Sequence, residues 1–304
     1  MLKYLPIIAA MLVQASPPAH AAPRFQLATV ITHTNDFFVD GQDRWRTASV
    51  SASMLWGPEF TGQAPSDFGA LLEVRTRFEM IAPANLSLPS PGNDRPYVGA
   101  LSIGVFSHQQ RGEVDISVGA ELVILGPSTG VSQLQSWLHM RMAPINPLLL
   151  EGQLADAVHP TLNLEIARRF QLTPILSFRP FVETQIGIET YARTGFDLTF
   201  SPQKPQDLRL REVVTGQRLP ALHTWGQRSW GLGLGGDIAY VADSQYFRPS
   251  DGLSISPTRA RLRAGAFYQG DKLDAFYGVS WLSPEFTAQE EGQLVAALSV
   301  SLRF

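Results

Sequence analysis

Two polar stretches of this chain hold residue types that could carry out chemistry. The first, HTNDFFVDGQDRWRTASVS at 33–51, places the amide of Asn35 and three carboxylates close together and then continues as an alternating segment. The second, SQLQSWLHMRM at 132–142, places Gln135 and His139 four residues apart, so that both lie on one face of a helix. Carboxylate and amide oxygens bind hard cations, and imidazole exchanges a proton near neutral pH. Together the stretches could supply a cation site and a general base.

Each of these residues also has a purely structural alternative. Asp36 stands where a strand is expected to end, and Asp is common there because its side chain bonds nearby backbone in turns. Asp40 and Asp43 are expected to be solvated loop residues, although either could complete an oxygen shell. Ser132 and Gln135 have the spacing of a capping box, which would occupy the glutamine in starting the helix. The helix would then only plug the end of the fold.

The elements that must position these residues begin after an export signal. Lys3 precedes an apolar run, Leu5–Val13, and small residues follow up to Ala21, which is the pattern of a cleaved secretory signal peptide. The run is too short to span a bilayer as a helix, which needs about 20 residues. We therefore expect a signal peptide at 1–21 and a single domain at 22–304.

The composition favours a β-rich chain without disulfides. The 304 residues include no cysteine, 25 glycines and 22 prolines, and the mean hydropathy is near zero. No later segment is apolar enough for a membrane helix, but the strands of a closed barrel need apolar residues only at every second position. The formal net charge of −3 gives no reason to expect nucleic acid as a partner.

Alternation with a period of two runs through the chain and predicts an all-β fold. The last segment sets Val300 and Phe304 on one face against Ser299 and Arg303 on the other. Charged rows on one face, as in GALLEVRTRFEM at 69–80, suit the wet interior of a barrel better than a dry core. We predict a transmembrane antiparallel β-barrel of about 12 strands, with a short helix in a loop at its rim. The terminal phenylalanine and the export signal point to the bacterial outer membrane.

The expected strands have the length that a tilted membrane strand requires, roughly 9 to 11 residues. They lie near 25–34, 46–56, 70–80, 96–107, 112–123, 160–170, 175–190, 191–200, 229–241, 257–268, 271–282 and 294–304. The helix at 132–142, which Pro144 ends, falls between the fifth and the sixth strand.

Four segments, in this order, carry a resemblance to a known family. They are Asn35-Asp36, DRWRTAS at 43–49, NDRPYVGAL at 93–101 and GPSTGVSQLQSWLH at 126–139. In these segments the chain resembles the LpxR-type lipid A 3'-O-deacylases, which are twelve-stranded outer-membrane barrels that use calcium to hydrolyse an acyl ester of lipid A. The landmarks cover the first half of the chain, and beyond about residue 155 the similarity is one of architecture.

The resemblance implies a role for each matched residue. It makes His139 the general base, Asp36 the principal calcium carboxylate, and Asn35, Thr47 and Gln135 the supporting polar shell. Such a site fits the chemistry, because ester hydrolysis needs a base to take a proton from water and positive charge beside the developing oxyanion. No G-x-S-x-G elbow indicates a serine nucleophile, so direct attack by water is expected. The implied substrate is lipid A, and the implied cofactor is Ca²⁺.

Two positions depart from the family pattern. The loop IAPANLSLPSPGN at 81–93 has no basic residue where the family carries a functional lysine, and Arg95 is the residue that could replace it. Ser49 stands where the family has a glycine, which restricts the backbone there. The remaining histidines of the exported chain are expected in loops or interfaces: His33, His108, His159 and His223.

Three function classes stay open. The first is an outer-membrane esterase that removes an acyl chain from lipid A. The second is a related barrel that acts on another acyl lipid or has lost activity, and the third is a passive pore or structural barrel. A pore predicts a lumen open from end to end and no dependence on His139. Alternation cannot separate these classes, because it reports which face meets lipid and not what fills the lumen.

Overall fold

The fold is a closed barrel of long antiparallel strands. The computed structural model describes residues 23–90, 92–139, 145–202, 206–224, 226, 228–248 and 251–304, so the predicted signal peptide lies outside the described residues. The strands in chain order are β1 (Phe25–Asn35), β2 (Trp45–Gly57), β3 (Leu72–Ala82), β4 (Val98–Arg111), β5 (Val114–Leu125), β6 (Ala157–Arg168), β7 (Phe170–Thr173), β8 (Leu176–Ile186), β9 (Glu189–Phe200), β10 (Asp207–Arg211), β11 (Arg218–His223), β12 (Ser229–Ser244), β13 (Thr258–Gln269), β14 (Leu273–Leu282) and β15 (Gln293–Arg303). Twelve of them form one ring in the order β1-β2-β3-β4-β5-β6-β8-β9-β12-β13-β14-β15, and β15 closes it onto β1. The predicted fold class is confirmed.

Each of the twelve predicted segments coincides with one barrel strand. The signal was readable because successive side chains of a strand point to opposite faces, and here one face meets lipid and the other the lumen. In β15, Leu298 and Val300 are exposed on the outside, while Ser299 and Ser301 are buried. The differences lie at strand ends, since β4 and β12 continue beyond their predicted ends at 107 and 241. The short β7, which pairs with β8, was not predicted.

The helices lie in connections at one end of the barrel. We call the end at which β1 finishes the site end, and the end that carries the start of β1 and the finish of β15 the terminal end. Helix α1 (Phe37–Asp40) joins β1 to β2, and a 3-10 turn (Pro127–Thr129), α2 (Val131–His139) and α3 (Pro147–Glu151) lie between β5 and β6. The predicted loop helix corresponds to α2, and its last predicted residues, 140–142, lie outside the described ranges. None of the helices in those ranges is long and apolar enough to cross a membrane.

Arginines and carboxylates fill the interior of the barrel as ion pairs. Arg46 binds Glu79 at 2.7 Å and Glu285 at 2.8 Å, and Arg263 binds Asp197 at 2.7 Å. Such pairing is expected, because a buried charge without a partner costs several kcal/mol of stability. The prediction that the charged rows face inward is therefore confirmed.

A hairpin of β10 and β11 lies inside the barrel and was not predicted. It belongs to the connection between β9 and β12, which starts and ends at the terminal end. Leu219 of β11 packs on the inward-facing rings of Phe267 and Phe276. The Gln217 side chain donates a hydrogen bond to the carbonyl of Ala264 at 3.0 Å. The hairpin thus occupies the lumen, which a passive pore would need open.

Candidate active site

The carboxylate of Asp36 is buried at the site end, where β1 gives way to α1. Its Oδ2 accepts hydrogen bonds from the backbone N–H of Arg44 and from Nε2 of Gln293, both at 3.0 Å. Its Oδ1 accepts a hydrogen bond from the Thr47 hydroxyl at 2.9 Å. The Asp36 side chain does not cap α1. The side chain thus bonds the loop backbone at Arg44, as the turn alternative expects, but it also reaches side chains of β2 and β15, which a turn does not require.

Among the described residues the Asp36 carboxylate has no ion-pair partner. The guanidinium of Arg44, its neighbour in the loop, lies 3.8 Å from Asp40. Burial raises the pKa of Asp36 to about 7, although hydrogen bonds from the Arg44 N–H and Thr47 oppose the rise, and the charges of Asp40 and Asp43 add to it. A bound cation would instead favour the ionised form. At neutral pH the Asp36 carboxyl is therefore protonated in part of the molecules and ionised in the rest.

The hydroxyl of Thr47 lies between two carboxylates. Its Oγ1 is within hydrogen-bonding distance of Oδ1 of Asp36 and, at shorter range, of Oδ1 of Asp43. A hydroxyl has only one proton to donate, so it can satisfy one of these oxygens and must face the other with a lone pair. The second contact requires a proton on a carboxyl group or a shared cation. Asp43 is a half-buried loop residue, and the turn into β2 places its carboxylate on Thr47, as the alternative of an oxygen shell requires.

The start of β2 is strained. Trp45 has a φ of 51°, in the left-handed region that residues other than glycine rarely adopt, and the pairing of β2 with β3 shifts register between Trp45 and Ala48. The buried indole donates a hydrogen bond to Asp94 at 2.7 Å, which holds this conformation. The irregular backbone lies between Arg44 and Thr47, two of the residues that bond Asp36. Strain of this kind concentrates at functional sites.

Asn35, the last residue of β1, uses its side chain to shape the turn into α1. Its Oδ1 accepts a hydrogen bond from the backbone N–H of Phe37 at 2.7 Å. The side chain is half-buried. This Asx turn fixes the direction in which the chain leaves the strand and so helps to place Asp36. A direct part for Asn35 in the reaction stays a prediction.

Helix α2 lies against β3 and β4. Its first residue, Val131, packs on Gly99 of β4 so closely that a Cβ atom on the glycine would stand 2.9 Å from the Cβ of Val131. Gln135, one turn further along, is buried, and its Oε1 has no hydrogen-bond partner within the described ranges. The other face of the helix exposes apolar side chains: Leu134, Trp137 and Leu138.

The expected capping box at the start of α2 does not form. The hydroxyl of Thr129 accepts a hydrogen bond from the N–H of Val131 at 3.3 Å, so the helix begins before Ser132. Ser132 donates to the side chain of Gln133 at 3.0 Å instead. The amide of Gln135 is therefore not used in capping. A buried amide oxygen without a donor is costly, which marks this position as a place for a water molecule, a ligand or a cation.

His139 is the last residue of α2. Its backbone stands one helical turn beyond Gln135, as the sequence spacing requires. Its side chain lies outside what the structure describes, so its assignment as the base stays a prediction.

Two residues of the site were not predicted. Gln293, at the start of β15, is buried, and its amide also donates to the carbonyl of Arg44 at 2.6 Å. Tyr97, just before β4, is buried with no hydrogen-bond partner for its hydroxyl in the described part of the chain, and burial together with the Asp43 charge raises its pKa. Gln293 is 257 residues from Asp36 along the chain. No local spacing could reveal this pair, because only closure of the ring brings β15 beside β1.

Arg95 does not replace the family's lysine at an accessible position. Its guanidinium is buried, donates a hydrogen bond to Glu285 at 3.1 Å and lies 4.6 Å from the centre of the Phe247 ring. It therefore stabilises the loops at the site end by joining the segment before β4 to the loops that carry Tyr246 and Glu285. The hypothesis that Arg95 takes over the lysine's function is not supported by this placement.

The four histidines that were expected in loops or interfaces all lie in strands. His108 on β4 contacts Glu73 at 2.8 Å, and His223 on β11 contacts Asp274 at 3.1 Å, both in the interior. His33 lies in β1 and His159 in β6. For His108 and His223 the expectation was wrong, because a polar lumen accepts histidine beside carboxylates, which a dry core would not. His33 is paired with the outward-facing Leu298, so the lumen does not explain its place.

The site holds donors that suit a hard cation. Among the described residues no group of three His, Cys, Asp or Glu side chains is placed to hold a metal. The donors here are two carboxylates and a hydroxyl, because Asp36 and Asp43 lie on either side of Thr47. All of them are oxygens, and their formal charge is negative. This chemistry fits calcium, which binds oxygen ligands of variable geometry.

Comparisons with known proteins agree with this architecture. The chain matches the family described as outer membrane protein LpxR over residues 5–304. The solved structure of LpxR from Salmonella typhimurium has a TM-score of 0.74 at 12% identity, covering 91% of this chain and 100% of that chain. An outer membrane channel from Pseudomonas putida F1 has a TM-score of 0.44 at 9% identity, covering 96% and 100%. No curated protein matches the sequence.

The similarity to the Salmonella structure shows a shared barrel fold, and the family match extends over nearly the whole chain, including the half in which no local landmark was found. The barrel is thus a protein of the bacterial outer membrane, and the chain belongs to the LpxR family of outer-membrane proteins.

Proposed function

We propose that this protein is a calcium-dependent lipid A deacylase that removes an ester-linked acyl chain, the 3'-O-linked chain by resemblance to its family. The observation that carries the proposal is the pair of carboxylates on the single hydroxyl of Thr47, namely the buried Asp36 and the half-buried Asp43. This arrangement joins negative charge, oxygen donors and burial at the site end of the barrel. Membership of the LpxR family supports lipid A as the substrate.

The residues of the site divide the work of hydrolysis. Asp36, with Asp43 and Thr47, would hold Ca²⁺, which when bound supplies positive charge beside the ester carbonyl. Gln293 keeps the Asp36 carboxylate in position. The unpartnered Oε1 of Gln135 is an acceptor for the hydrogen bond of a water molecule.

The base completes this division. His139 follows Gln135 on the same face of α2 and takes a proton from that water, which attacks the ester directly. No covalent intermediate is needed. The bond between the acyl carbon and the sugar oxygen breaks, His139 returns the proton to that oxygen, and the products are the sugar hydroxyl and a free fatty acid.

The outward face of α2 fits a lipid substrate. Leu134, Trp137 and Leu138 are exposed on a helix at the rim of a membrane barrel. Apolar and aromatic side chains at this depth contact acyl chains and head groups, and tryptophan is enriched at such interfaces. A lipid at this rim would have its acyl chains against the helix that carries Gln135 and His139.

The decisive experiment replaces the base. His139→Asn keeps a polar side chain and removes the nitrogen that would accept the proton, so deacylation should fall on the order of 100- to 10,000-fold. His159→Asn makes the same change on β6 and should behave like the parent. Mass spectrometry of lipid A from cells that express each form measures the outcome, and faster gel migration of unheated protein reports a folded barrel. If His139→Asn deacylates lipid A at the parental rate, the assignment of His139 as the base is wrong and α2 only plugs the end of the barrel.

A second test concerns the metal. Chelation and Asp36→Ala should each abolish ester hydrolysis and leave barrel assembly intact, because the carboxylate lies beyond the last residue of β1. Magnesium should restore activity less well than calcium, since it demands stricter octahedral geometry. Full activity in excess chelator would remove calcium from the proposal.

One observation favours a second candidate, a related enzyme acting on another acyl lipid. The loop at 81–93 has no basic residue, and Arg95 is buried in an ion pair with Glu285. A lysine contact to the lipid A head group is therefore missing at this loop. Mass spectrometry of total membrane lipids, with and without the protein, distinguishes the two substrates, because only one lipid class should lose an acyl chain.

A further inference from the structure

Tyr97, the residue before β4, has a hydroxyl that no group in the described part of the chain uses. The side chain is buried, with 0% of its surface exposed, and its Oη has no hydrogen-bond partner among the described residues. The buried hydroxyl of Tyr191 in the lumen, by contrast, donates a hydrogen bond to Glu183 at 2.5 Å. A buried hydroxyl without a partner destabilises the folded chain, so its presence at this position needs an explanation.

The aromatic ring of Tyr97 is held in place by apolar side chains. It packs with Ala82 at the end of β3 and with Ile145 and Leu149 of the connection that carries α2 and α3. The backbone carbonyl of Tyr97 accepts a hydrogen bond from the N–H of Leu154 at 3.0 Å. These contacts fix the ring, so its hydroxyl has a defined position beneath this connection.

Tyr97 points to the side of the barrel wall that α2 covers. Leu101 and Ile103 of β4 are exposed on the outside of the barrel. Alternate residues of a strand point to the same side, so Gly99 and, before it, Tyr97 continue this outward row. Gly99 is also the residue on which Val131 of α2 packs. The Tyr97 hydroxyl therefore lies between the outer wall and the connection that brings the proposed base.

The hydroxyl is also within reach of the carboxylates of the site. Burial and, after it, the charge of Asp43 raise the pKa of the Tyr97 phenol. Asp43 in turn contacts the Thr47 hydroxyl, which also bonds Asp36. A phenol with a raised pKa keeps its proton at neutral pH, so Tyr97 can donate a hydrogen bond but cannot act as the base. Gln135 offers this site an unused acceptor, and Tyr97 offers it an unused donor.

We propose that the Tyr97 hydroxyl is a catalytic donor that binds the carbonyl oxygen of the ester as this oxygen becomes negative. This role rests on the proposed deacylase function. When water attacks the acyl carbon, an electron pair of the carbonyl double bond moves onto the oxygen, and the hydrogen bond to that oxygen becomes stronger. The pair returns when the sugar oxygen leaves, and Tyr97 keeps its proton throughout. The hydroxyl is unpaired in the protein alone because its acceptor belongs to the substrate.

The test compares the parent, Tyr97→Phe and Tyr191→Phe as full chains in detergent, with lipid A as the substrate. Tyr97→Phe removes only the hydroxyl, so kcat for fatty acid release should fall on the order of 100- to 1,000-fold. KM should stay near the parental value, because the contact is made in the transition state. The pH profile of kcat should keep its shape, since Tyr97 is not the base. Tyr191→Phe removes a lumenal hydroxyl and should keep the parental kcat.

Heat resistance of the fast-migrating folded band gives a second readout, which does not depend on activity. Tyr97→Phe should be at least as heat-resistant as the parent, because it removes a buried hydroxyl without a partner. Tyr191→Phe should be less heat-resistant, because Glu183 loses a donor. A Tyr97→Phe chain that resists heat less than the parent, or does not fold, would reveal a structural role for the hydroxyl and overturn the proposal.

The activity of the parent separates this proposal from the proposed function. An active parent beside a Tyr97→Phe chain with parental kcat would overturn the role of Tyr97 alone. A parent that releases no fatty acid from lipid A would overturn the deacylase function and, with it, this role.

Discussion

At the candidate site two carboxylates compete for the single hydroxyl proton of Thr47, and this competition determines the chemistry of the site. Asp36 accepts three hydrogen bonds and has no ion-pair partner of its own among the described residues, while Thr47 contacts two carboxylates with one proton. Such a cluster is balanced by a proton or by a cation, and the two compete. Calcium binding at this site should therefore be coupled to pH.

The expected direction of this coupling is set by the raised pKa of Asp36, which is about 7. Below that pH the carboxyl is protonated and must release its proton to bind the ion, so apparent calcium affinity should fall by about tenfold per pH unit. Above it, affinity should level off. Calorimetry at several pH values between about 5.5 and 8 measures the effect. Asp36→Asn serves as the control, because it cannot ionise and should show weak, pH-independent binding. A parental affinity unchanged across this range would contradict the assignment.

A matching prediction concerns Gln293, which fixes the same carboxylate from the opposite end of the chain. Its Nε2 bonds both Asp36 and the Arg44 carbonyl, so it also closes the loop that carries the Arg44 N–H. Gln293→Ala should lower calcium affinity roughly 10- to 100-fold, as loss of an outer-shell partner typically does. Gln289→Ala, in the adjoining loop, should retain parental affinity. Equal affinity in Gln293→Ala and the parent would show that Asp36 is held without it.

Among the individual residues of the site, the sequence predicted those that lie in a short sequence landmark and missed those that are brought in from distant parts of the chain. Asp36, Thr47 and Gln135 all proved buried, and each follows a short landmark that can be read along the chain. Gln293 stands in no such pattern. Tyr97 lies within the landmark at 93–101 but had no role assigned to it, and the contact of Asp43 with Thr47 depends on the strained turn at Trp45. Contacts made by ring closure or by an irregular backbone have no signature in local spacing.

Among the elements, α2 matters most because it holds Gln135 and His139 yet contributes nothing to the strand ladder. It rests on β4 through the contact of Val131 with Gly99. The absent side chain at this glycine allows the helix to approach the wall. The position of the proposed base is therefore set by a contact that the barrel itself does not need.

Gly99→Ala should displace α2 and leave the barrel intact. The added Cβ would stand 2.9 Å from that of Val131, closer than two carbon atoms tolerate, so the helix must shift. A misplacement near 1 Å can cost on the order of 100-fold in rate. Gly233→Ala, where a Cβ would meet nothing within 4 Å, is the matched control. Lipid A deacylation measures the loss, and full activity of Gly99→Ala would show that α2 does not carry the base.

Contact with lipid made the barrel strands predictable, and the lumenal hairpin was missed because it has no such contact. A barrel strand has one face in lipid, which imposes alternation that can be read from residues such as Leu298 and Ser299. β10 and β11 touch no lipid and are only five and six residues long. Their sequence mixes arginines with apolar residues because the inner wall offers them both carboxylates and apolar side chains. Nothing in that composition distinguishes a hairpin from a loop.

For the whole molecule, the hairpin decides whether this barrel is a channel. Twelve strands enclose a lumen that is filled by ion pairs and by β10 and β11, in contrast to the open lumen that the pore hypothesis requires. The parent should therefore show no steady conductance in planar bilayers. Replacing 206–224 by a short Gly-Ser linker removes the hairpin and should open a steady conductance, because the ring of strands does not depend on it.

The matched control replaces 64–68, in the connection from β2 to β3 at the same end, by the same linker and should stay closed. Both variants should still migrate faster when unheated, which shows that the ring of strands is intact. Deacylation should persist without the hairpin, since Asp36, Thr47 and α2 belong to the site end and the hairpin enters from the terminal end. A parent that conducts as well as the hairpin-free variant would restore the pore hypothesis. Loss of deacylation in a folded, hairpin-free barrel would instead show that the active site needs the hairpin in the lumen.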